Sequence, residues 1–200
     1  ELMDAIANYF PSPVDVKAPQ AASAPKDGET IALLADADKP FVAQAFKLAT
    51  DPFVGKMAWI RILQGSCMPD TVYHLRDDRK TAKVGHLFKI QGKETHEVKK
   101  AVAGDIIALA KVEDIKRGDV LHVEPAPMFR AVTACPHPMY SLAVTPKSRG
   151  DEQKISGSLS KLAEEDPTFV STRDAQTAET VISGIGDLHL RIMLTKMRER

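Results

Sequence analysis

The sequence predicts an antiparallel β barrel followed by an α+β domain of the ferredoxin-like type that lacks its last strand. Short apolar runs alternate with turn-forming residues between positions 41 and 123, as in a barrel of short strands. Beyond position 128 the apolar spacing follows the order β-α-β-β-α. With 200 residues, 44% hydrophobic and 27% charged, the chain is long enough for two small globular domains. We therefore expect three parts, at 1–40, 41–127 and 128–200.

For the first part, residues 1–40, the sequence predicts a helix and a connector that follow a preceding domain. Leu2, Ile6 and either Tyr9 or Phe10 recur at helical spacing, and the segment Pro11-Ser-Pro13 ends the pattern. Residues 14–40 are rich in Ala, Pro, Asp and Lys, with one short strand-like run at 31–34. We interpret this stretch as a connector.

The second part carries the predicted barrel strands. Gly65, Asp70 and Gly118 are among the turn-forming residues that separate them. Closure into a barrel would bury the strand edges, and we expect Phe46, Trp59 and Phe88 to fill much of the core. The apolar runs lie at 41–49, 57–63, 71–75, 84–90, 106–110 and 120–123.

The third part alternates strand and helix patterns. Asp166 and Pro167 end the first helix, since proline interrupts helical hydrogen bonding. The predicted elements are a strand at 140–144, a helix at 155–163, strands at 169–172 and 180–183, and a helix from 187 with apolar residues at 190, 193, 194 and 197.

Basic residues cluster on two presumed hairpins of the barrel. The chain carries 27 basic and 27 acidic residues, so any contact with nucleic acid must come from such local patches. Acidic neighbours dilute both clusters, and either a solvated loop or an RNA contact fits the charge pattern. The candidate RNA-contact residues are Arg76, Arg79, Lys80 and Lys83 on one hairpin, and Lys89, Lys93, Lys99 and Lys100 on the next.

Two short segments of the third part are candidates for a special role. Carboxylates at the end of its first helix oppose the helix dipole, which fits either a paired carboxylate or a solvated helix end. The glycines before the second helix fit a tight turn or an anion site, and Asp187 supplies a carboxylate there itself. The residues are Glu165, Asp166 and Pro167 in the first segment, and Gly184, Gly186, Asp187 and His189 in the second.

Several function classes are not indicated. No P-loop sequence of the form G-x-x-x-x-G-K-[ST] occurs, and the six histidines do not fall at metal-ligand spacing. We therefore predict no catalytic, cofactor-binding or metal-binding residues. Cys67 and Cys135 do not form a C-x-x-C pair, and no apolar run reaches the ~20 residues that span a membrane. These patterns predict a cytoplasmic protein without membrane contact.

Six motifs, in order along the chain, resemble the second and third domains of elongation factor G. They begin at the helix–connector junction and end in the last helix. The motifs are Asn8-Tyr-Phe-Pro-Ser-Pro13, Thr50-Asp-Pro-Phe-Val-Gly-Lys56, Ala103-Gly-Asp-Ile106, Tyr140-Ser-Leu-Ala-Val-Thr-Pro-Lys147, Glu164-Glu-Asp-Pro-Thr-Phe169 and Ile182-Ser-Gly-Ile-Gly-Asp-Leu-His-Leu190.

The resemblance implies a fragment of a ribosome-dependent GTPase that promotes translocation. In this family the barrel meets small-subunit ribosomal RNA, and the third domain contacts a small-subunit protein and the switch region. GTP and Mg would bind in a GTPase domain that is missing here. The implied partners are the ribosome and the parent's own GTPase and C-terminal domains. The basic residues become ribosome-contact candidates, and the two segments of the third part become an interdomain relay.

Some motifs depart from the family pattern, which indicates a divergent paralogue. Pro69 replaces a glycine in Arg61-Ile-Leu-Gln-Gly-Ser-Cys-Met-Pro-Asp70, and Ile90-Gln-Gly-Lys-Glu-Thr-His-Glu97 is less basic than its counterpart. Four alternatives stay open at this stage: a tetracycline-resistance ribosomal protection protein, a paralogue active only in ribosome recycling, a generic RNA-binding module, and a self-contained enzyme built around Cys135 or a carboxylate.

Overall fold

The computed structural model of the chain describes residues 1–24, 28–51, 54–76, 80–92, 94–124, 128–132, 134–146 and 149–199. They divide into two units, residues 1–132 and 133–200, and each is described by itself. The predicted three-part division at 40 and 127 stays a prediction.

The N-terminal segment forms a helix and a hairpin that packs on the barrel. Helix α1, Leu2–Tyr9, ends at Phe10, where the backbone becomes extended before Pro11, as predicted. Strands β1, Gln20–Ala22, and β2, Thr30–Ala32, then pair antiparallel, although the sequence indicated only one short strand here. A small buried cluster joins this hairpin to the barrel strands; its members are Ala21, Leu33, Val42, Val120 and Met128.

Eight strands of the first unit form one antiparallel sheet. Gly85 divides the predicted strand at 84–90 into two separate strands. Two short strands, β5 at Ser66–Cys67 and β10 at Ala101–Val102, pair with each other outside it. The eight strands are β3 Val42–Asp51, β4 Gly55–Gln64, β6 Thr71–Leu75, β7 Lys80–Val84, β8 His86–Gln91, β9 Glu94–Val98, β11 Ile106–Ala110 and β12 Val120–His122, in the order β7-β6-β12-β3-β4-β11-β8-β9.

The connection through Gly85 requires this sheet to curl. Strand β7 lies at one edge of the order and β8 next to the other edge, yet only Gly85 separates them in sequence. In a flat sheet those two strands would be about 29 Å apart, because neighbouring strands lie about 4.8 Å apart. Two residues of extended chain reach only about 7 Å. The sheet therefore curves until its ends approach each other, and the predicted barrel-type fold is confirmed.

The aromatic core predicted for the barrel is wrong. Phe46 is 43% exposed, and Trp59 and Phe88 are only half-buried. A β-bulge between Ala45 and Lys47 inserts Phe46 as an extra residue on the exterior, while Trp59 and Phe88 alternate with inward-facing neighbours. The core contains Phe41 and Tyr73, with ring centroids 4.4 Å apart, together with Ala43, Ala45, Leu48, Ala58, Ile60, Ile62, Cys67, Leu75, Ala82, Val84, Leu87, Ala101, Ile107, Leu109, Val112, Ile115 and Leu121.

The second unit has the predicted order of elements. Its antiparallel sheet runs β13-β15-β14, which is the order of the first, third and second strands of a ferredoxin-like domain. Residues from both helices and the sheet share one core: Leu159, Leu162, Phe169, Ile182, Leu190 and Met193. The elements are β13 Tyr140–Val144, α2 Glu152–Glu165, β14 Val170–Arg173, β15 Thr180–Gly184 and α3 Asp187–Arg198.

Substitution of two barrel glycines allows the cost of backbone strain alone to be compared with the cost of strain plus a steric clash. Gly55 and Gly65 both have left-handed φ values, 85° and 76°. Among the described residues, a Cβ atom at Gly55 would meet nothing within 4 Å, whereas one at Gly65 would lie 2.6 Å from the Lys39 carbonyl oxygen and from Phe41 Cα. We expect Gly55→Ala to lower the free energy of unfolding by about 1–2 kcal/mol and Gly65→Ala by at least about 3 kcal/mol.

Urea unfolding of both variants measures this difference. Equal losses for the two substitutions would contradict the role of the close backbone contact at Gly65.

Candidate functional site

The basic residues of the β6–β7 hairpin differ in their surroundings. Arg76 follows β6, and its guanidinium lies 3.2 Å from the carboxylate of Asp119, which is largely buried. Arg76 therefore stabilises the barrel through this ion pair, and its side chain is also partly exposed to solvent. Lys83 lies 3.7 Å from Asp70 in an exposed ion pair, and Lys80 is exposed on β7. Arg79 lies outside the described residues.

The second basic cluster is also divided between paired and open side chains. The Lys89 ammonium lies 3.0 Å from the Asp105 carboxylate. Burial raises the pKa of Asp105, but the Val102 N–H and Lys89 outweigh this effect and lower it overall. Lys99 and Lys100 are exposed between β9 and β10, and Lys93 lies outside the described residues. Among the described residues Lys80, Lys99 and Lys100 form no ion pair, so their ammonium groups are open to an anionic partner.

The two candidate segments of the second unit meet at one hydrogen-bonded pair. We call them together the relay turn, residues 165–167 and 184–189. Asp166 Oδ1 accepts hydrogen bonds from the Thr168 N–H at 2.9 Å and hydroxyl at 2.6 Å. Asp166 Oδ2 lies 3.1 Å from Nε2 of His189. The end of α2 is thus joined to the start of α3, a link that the sequence did not predict.

The surroundings of His189 determine where its proton lies. The Ile185 N–H donates to His189 Nδ1 at 3.1 Å, and a backbone N–H can act only as a donor. Nδ1 therefore accepts, and Nε2 carries the proton that it donates to Asp166. The ring is mostly buried and meets Phe169 edge to face, with centroids 6.3 Å apart. This neutral tautomer holds the 184–186 turn and the end of α2 at the same time.

The same contacts set the protonation of Asp166. Burial raises the pKa of this carboxyl group, but the hydrogen bonds from Thr168 and His189 stabilise the ionised form and lower the pKa overall. The sequence allowed either a paired carboxylate or a solvated helix end at this position. The structure shows that Asp166 is a paired carboxylate.

The two glycines of the relay turn are not equivalent. A Cβ atom at Gly184 would lie 2.6 Å from His189 Nδ1 and 2.8 Å from Leu190 Cδ2. Gly186 caps α3 with an extended φ of −175°, and a Cβ atom there would meet no described residue within 4 Å. Gly184 is needed because it leaves space for the histidine. Backbone flexibility, which the sequence suggested for both, is required at neither position.

The remaining relay-turn residues lie at the two helix ends. Glu165 is the last residue of α2, and Pro167 is exposed just beyond it. Asp187 begins α3, where its carboxylate lies 2.9 Å from Arg191 Nε. The negative charge near this helix terminus is therefore supplied by the chain itself.

Two sequence profiles match most of the chain. The profile of elongation factor G domain 2 matches residues 40–124, and that of elongation factor G domain III matches residues 135–200. Elongation factor G of Mycoplasma pneumoniae is 40% identical over 198 residues, which is 98% of this chain. This chain belongs to the elongation factor G family. It carries domains II and III, in the order that the sequence motifs predicted.

The chain spans about 28% of the length of the M. pneumoniae elongation factor G. A crystal structure of a protein from Thermus thermophilus superimposes with a TM-score of 0.75 at 28% identity, covering 98% of this chain and 27% of that protein. The fold similarity thus extends over both units.

Sequence reasoning missed an exposed apolar stripe on domain III. Ile185, Leu188 and Ile192 are 50%, 71% and 47% exposed, and their spacing places them on one side of the start of α3. Only the opposite, buried stripe of this helix was predicted. The sequence did contain a signal for this stripe, because Ile185, Leu188 and Ile192 form a second set of apolar residues at helical spacing. A helix such as α3 needs only one apolar face to pack on its own domain, so a second face is available for another contact.

In the described residues, metal-ligand clusters and long apolar helices are absent, and the thiol of Cys67 is shielded from solvent. Among them, no group of three His, Cys, Asp or Glu could hold a metal ion. Cys67 is fully buried, and desolvation raises the pKa of its thiol to about 11. No helix in the described part of the chain is both long enough and apolar enough to cross a membrane.

Substitution of the two relay-turn glycines tests the space requirement. We expect Gly184→Ala to displace His189 and to lower the free energy of unfolding by about 2 kcal/mol, whereas the matched Gly186→Ala should cost less than about 1 kcal/mol. Unfolding gives the stabilities, and the ¹⁵N shifts of His189 report whether Nε2 keeps its proton. An unchanged tautomer in Gly184→Ala would contradict this account.

The lowered pKa of Asp166 predicts acid sensitivity of domain III. A carboxyl group whose pKa is lower in the folded than in the unfolded state stabilises the fold above its unfolded pKa, about 3.9. That contribution is lost as the pH falls through the lowered folded pKa. We expect Asp166→Asn to be destabilising at pH 7 and to approach the unsubstituted protein as the pH falls through the lowered folded pKa, measured by urea unfolding from neutral to acid pH. A difference that stays constant with pH would refute the role of ionised Asp166.

Proposed function

We propose that this chain is the ribosome-docking and relay part of a cytoplasmic translational GTPase of the elongation factor G type, which promotes translocation in protein synthesis. The ordered match of both domains to this family carries the proposal. GTP and Mg would bind in the GTPase domain of the parent protein, since this chain has no P-loop sequence. The two domains would position the factor and report its nucleotide state.

The relay part of the proposal rests on the link between Asp166 and His189. This pair fixes the start of α3 to the end of α2, 23 residues earlier in the chain. The exposed stripe of Ile185, Leu188 and Ile192 lies beside it and offers an apolar contact to the GTPase domain. A partner that prefers one orientation of this rigid turn would bias the domain arrangement, which is how a nucleotide state is relayed by population shift.

The docking part rests on the open ammonium groups of the barrel. Lys80, Lys99 and Lys100 are exposed and form no ion pair among the described residues, so they are free to contact the phosphates of small-subunit ribosomal RNA. Arg76 and Lys89, by contrast, are held by Asp119 and Asp105. We propose that Lys80, Lys99 and Lys100 contribute most to the binding of ribosomal RNA. We also propose a small-subunit protein as a partner of domain III.

Co-sedimentation of the full-length parent with ribosomes tests docking. The parent should bind with a nonhydrolysable GTP analogue and release with GDP, at each of two salt concentrations. Combined Lys80→Ala, Lys99→Ala and Lys100→Ala should weaken binding and reduce its salt dependence by about one unit of slope per lysine. A control with Lys17→Ala, Lys161→Ala and Lys196→Ala removes the same charge from other exposed positions and should bind normally.

Single-round translocation then separates the remaining functions. A parent that binds and translocates is a working elongation factor G, and Leu188→Ser should reduce its GTP dependence while leaving binding intact. Binding without translocation would indicate a paralogue specialised for recycling. Restored translation in the presence of tetracycline would indicate a protection protein. Absence of binding in both nucleotide states would refute the proposal.

A further inference from the structure

Aromatic residues lie on the exterior of three of four adjacent barrel strands, and an alanine lies between two of them. Phe88 on β8 pairs with Ala108 on β11, Ala108 pairs with Trp59 on β4, and Trp59 pairs with Lys47 on β3. Paired residues share one face of a sheet, so these side chains form a continuous row. Ala108 is fully buried between two aromatic neighbours, although it faces outward. The row therefore behaves as an apolar surface rather than as isolated side chains.

The β1–β2 hairpin covers another part of the barrel exterior and leaves this row exposed to solvent. The β1–β2 hairpin packs over Val42 and Val120, which face outward from β3 and β12. It does not reach the row, where the bulge leaves Phe46 43% exposed and Ile106 is 50% exposed. A contiguous apolar surface of this kind marks an interaction site, whereas the other exposed apolar residues of the barrel, such as Met68 and Val72, are not part of this row.

The charges around the row are predominantly positive. The Lys47 ammonium lies 4.9 Å from the centroid of the Trp59 ring, and Arg61 faces the same way two residues further along β4. The acidic neighbours are already engaged. Glu97, opposite Phe88, lies 2.6 Å from His86, and Asp105 lies 3.0 Å from Lys89. The charge of Arg61 also acts on Asp105 and helps to lower the pKa of that carboxyl group, so among the described residues Lys47 is left to face a partner that is both aromatic and anionic.

We propose that Phe46, Trp59 and Phe88, with Lys47 and Arg61, form an aromatic platform that stacks unpaired bases of RNA. The inference rests on the proposed ribosomal function and names the part of the RNA that the barrel would take. Single strands and loops expose base faces that stack on aromatic rings, whereas a duplex hides them. Lys47 covers the Trp59 ring in the free protein and would turn to a phosphate when a base takes its place.

Trp59 is the one tryptophan in the sequence, so intrinsic tryptophan fluorescence reports on the platform alone. We expect a single-stranded adenine-rich RNA of about 12 nucleotides to quench this fluorescence, and a duplex of the same length to bind at least about 10-fold more weakly. Phe46→Ala removes an exposed ring and should weaken single-strand binding about 5- to 100-fold. Phe10→Ala, which removes another exposed ring at the end of α1, should change nothing.

Ribosome co-sedimentation of the same variants in the full-length parent distinguishes this inference from the proposed function. Quenching by single strands, with loss of affinity in Phe46→Ala but not in Phe10→Ala, supports the platform. Normal ribosome binding by Phe46→Ala without quenching would overturn the platform and leave the proposed function standing. Weakened ribosome binding by Phe46→Ala without quenching would also overturn it, because the surface would then contact a protein.

Discussion

The single residue that joins strands β7 and β8 constrains the whole first unit. Because Gly85 links an edge strand to the strand next to the opposite edge of an eight-stranded order, the sheet has to curl, and the inner faces of its strands then converge on one core. Curling also fixes what lies outside. Part of the exterior is covered by the β1–β2 hairpin, and part carries aromatic side chains that the hairpin does not bury. Core, hairpin contact and exposed surface all follow from that connection.

The second unit depends more on a few polar contacts. Its apolar core holds two helices against three strands, but the position of α3 relative to the end of α2 is set by Asp166 and His189. Such a pair is directional, because each acceptor oxygen and each ring nitrogen has one specific partner. A directional contact between elements distant in sequence suits a region that reports orientation, whereas apolar packing alone tolerates small rotations.

Local periodicity was sufficient to predict the fold class and most strands. Apolar alternation identified β4, β6 and β11, and helical spacing identified α2 and α3. Strands β7 and β9 were missed because their residues, as in Glu94–Val98, are mostly polar and exposed. Phe46 was misplaced because a bulge on β3 changes the inside–outside alternation, and the sequence carries no mark of this bulge; Trp59 and Phe88 were misplaced because their size was given more weight than the alternation of their strands.

The candidate site was predictable only in part. Family motifs singled out Asp166 and His189, but no local pattern shows that residues 23 positions apart share a hydrogen bond. The same limit applied to Lys80 and Arg76, which look alike in sequence and differ only because Asp119 folds back against one of them. Pairing between distant residues is decided by tertiary packing, which lies beyond the range of spacing rules.

The burial of Cys67 gives the barrel a natural reporter of its own integrity. This thiol lies in the core beside Tyr73, and its raised pKa keeps it protonated at neutral pH. Alkylating reagents attack the thiolate of an accessible cysteine, so they modify Cys67 only in molecules whose barrel has opened. Cys135, in the second unit, is partly exposed. Under native conditions a thiol-reactive dye would therefore mark domain III and leave domain II untouched.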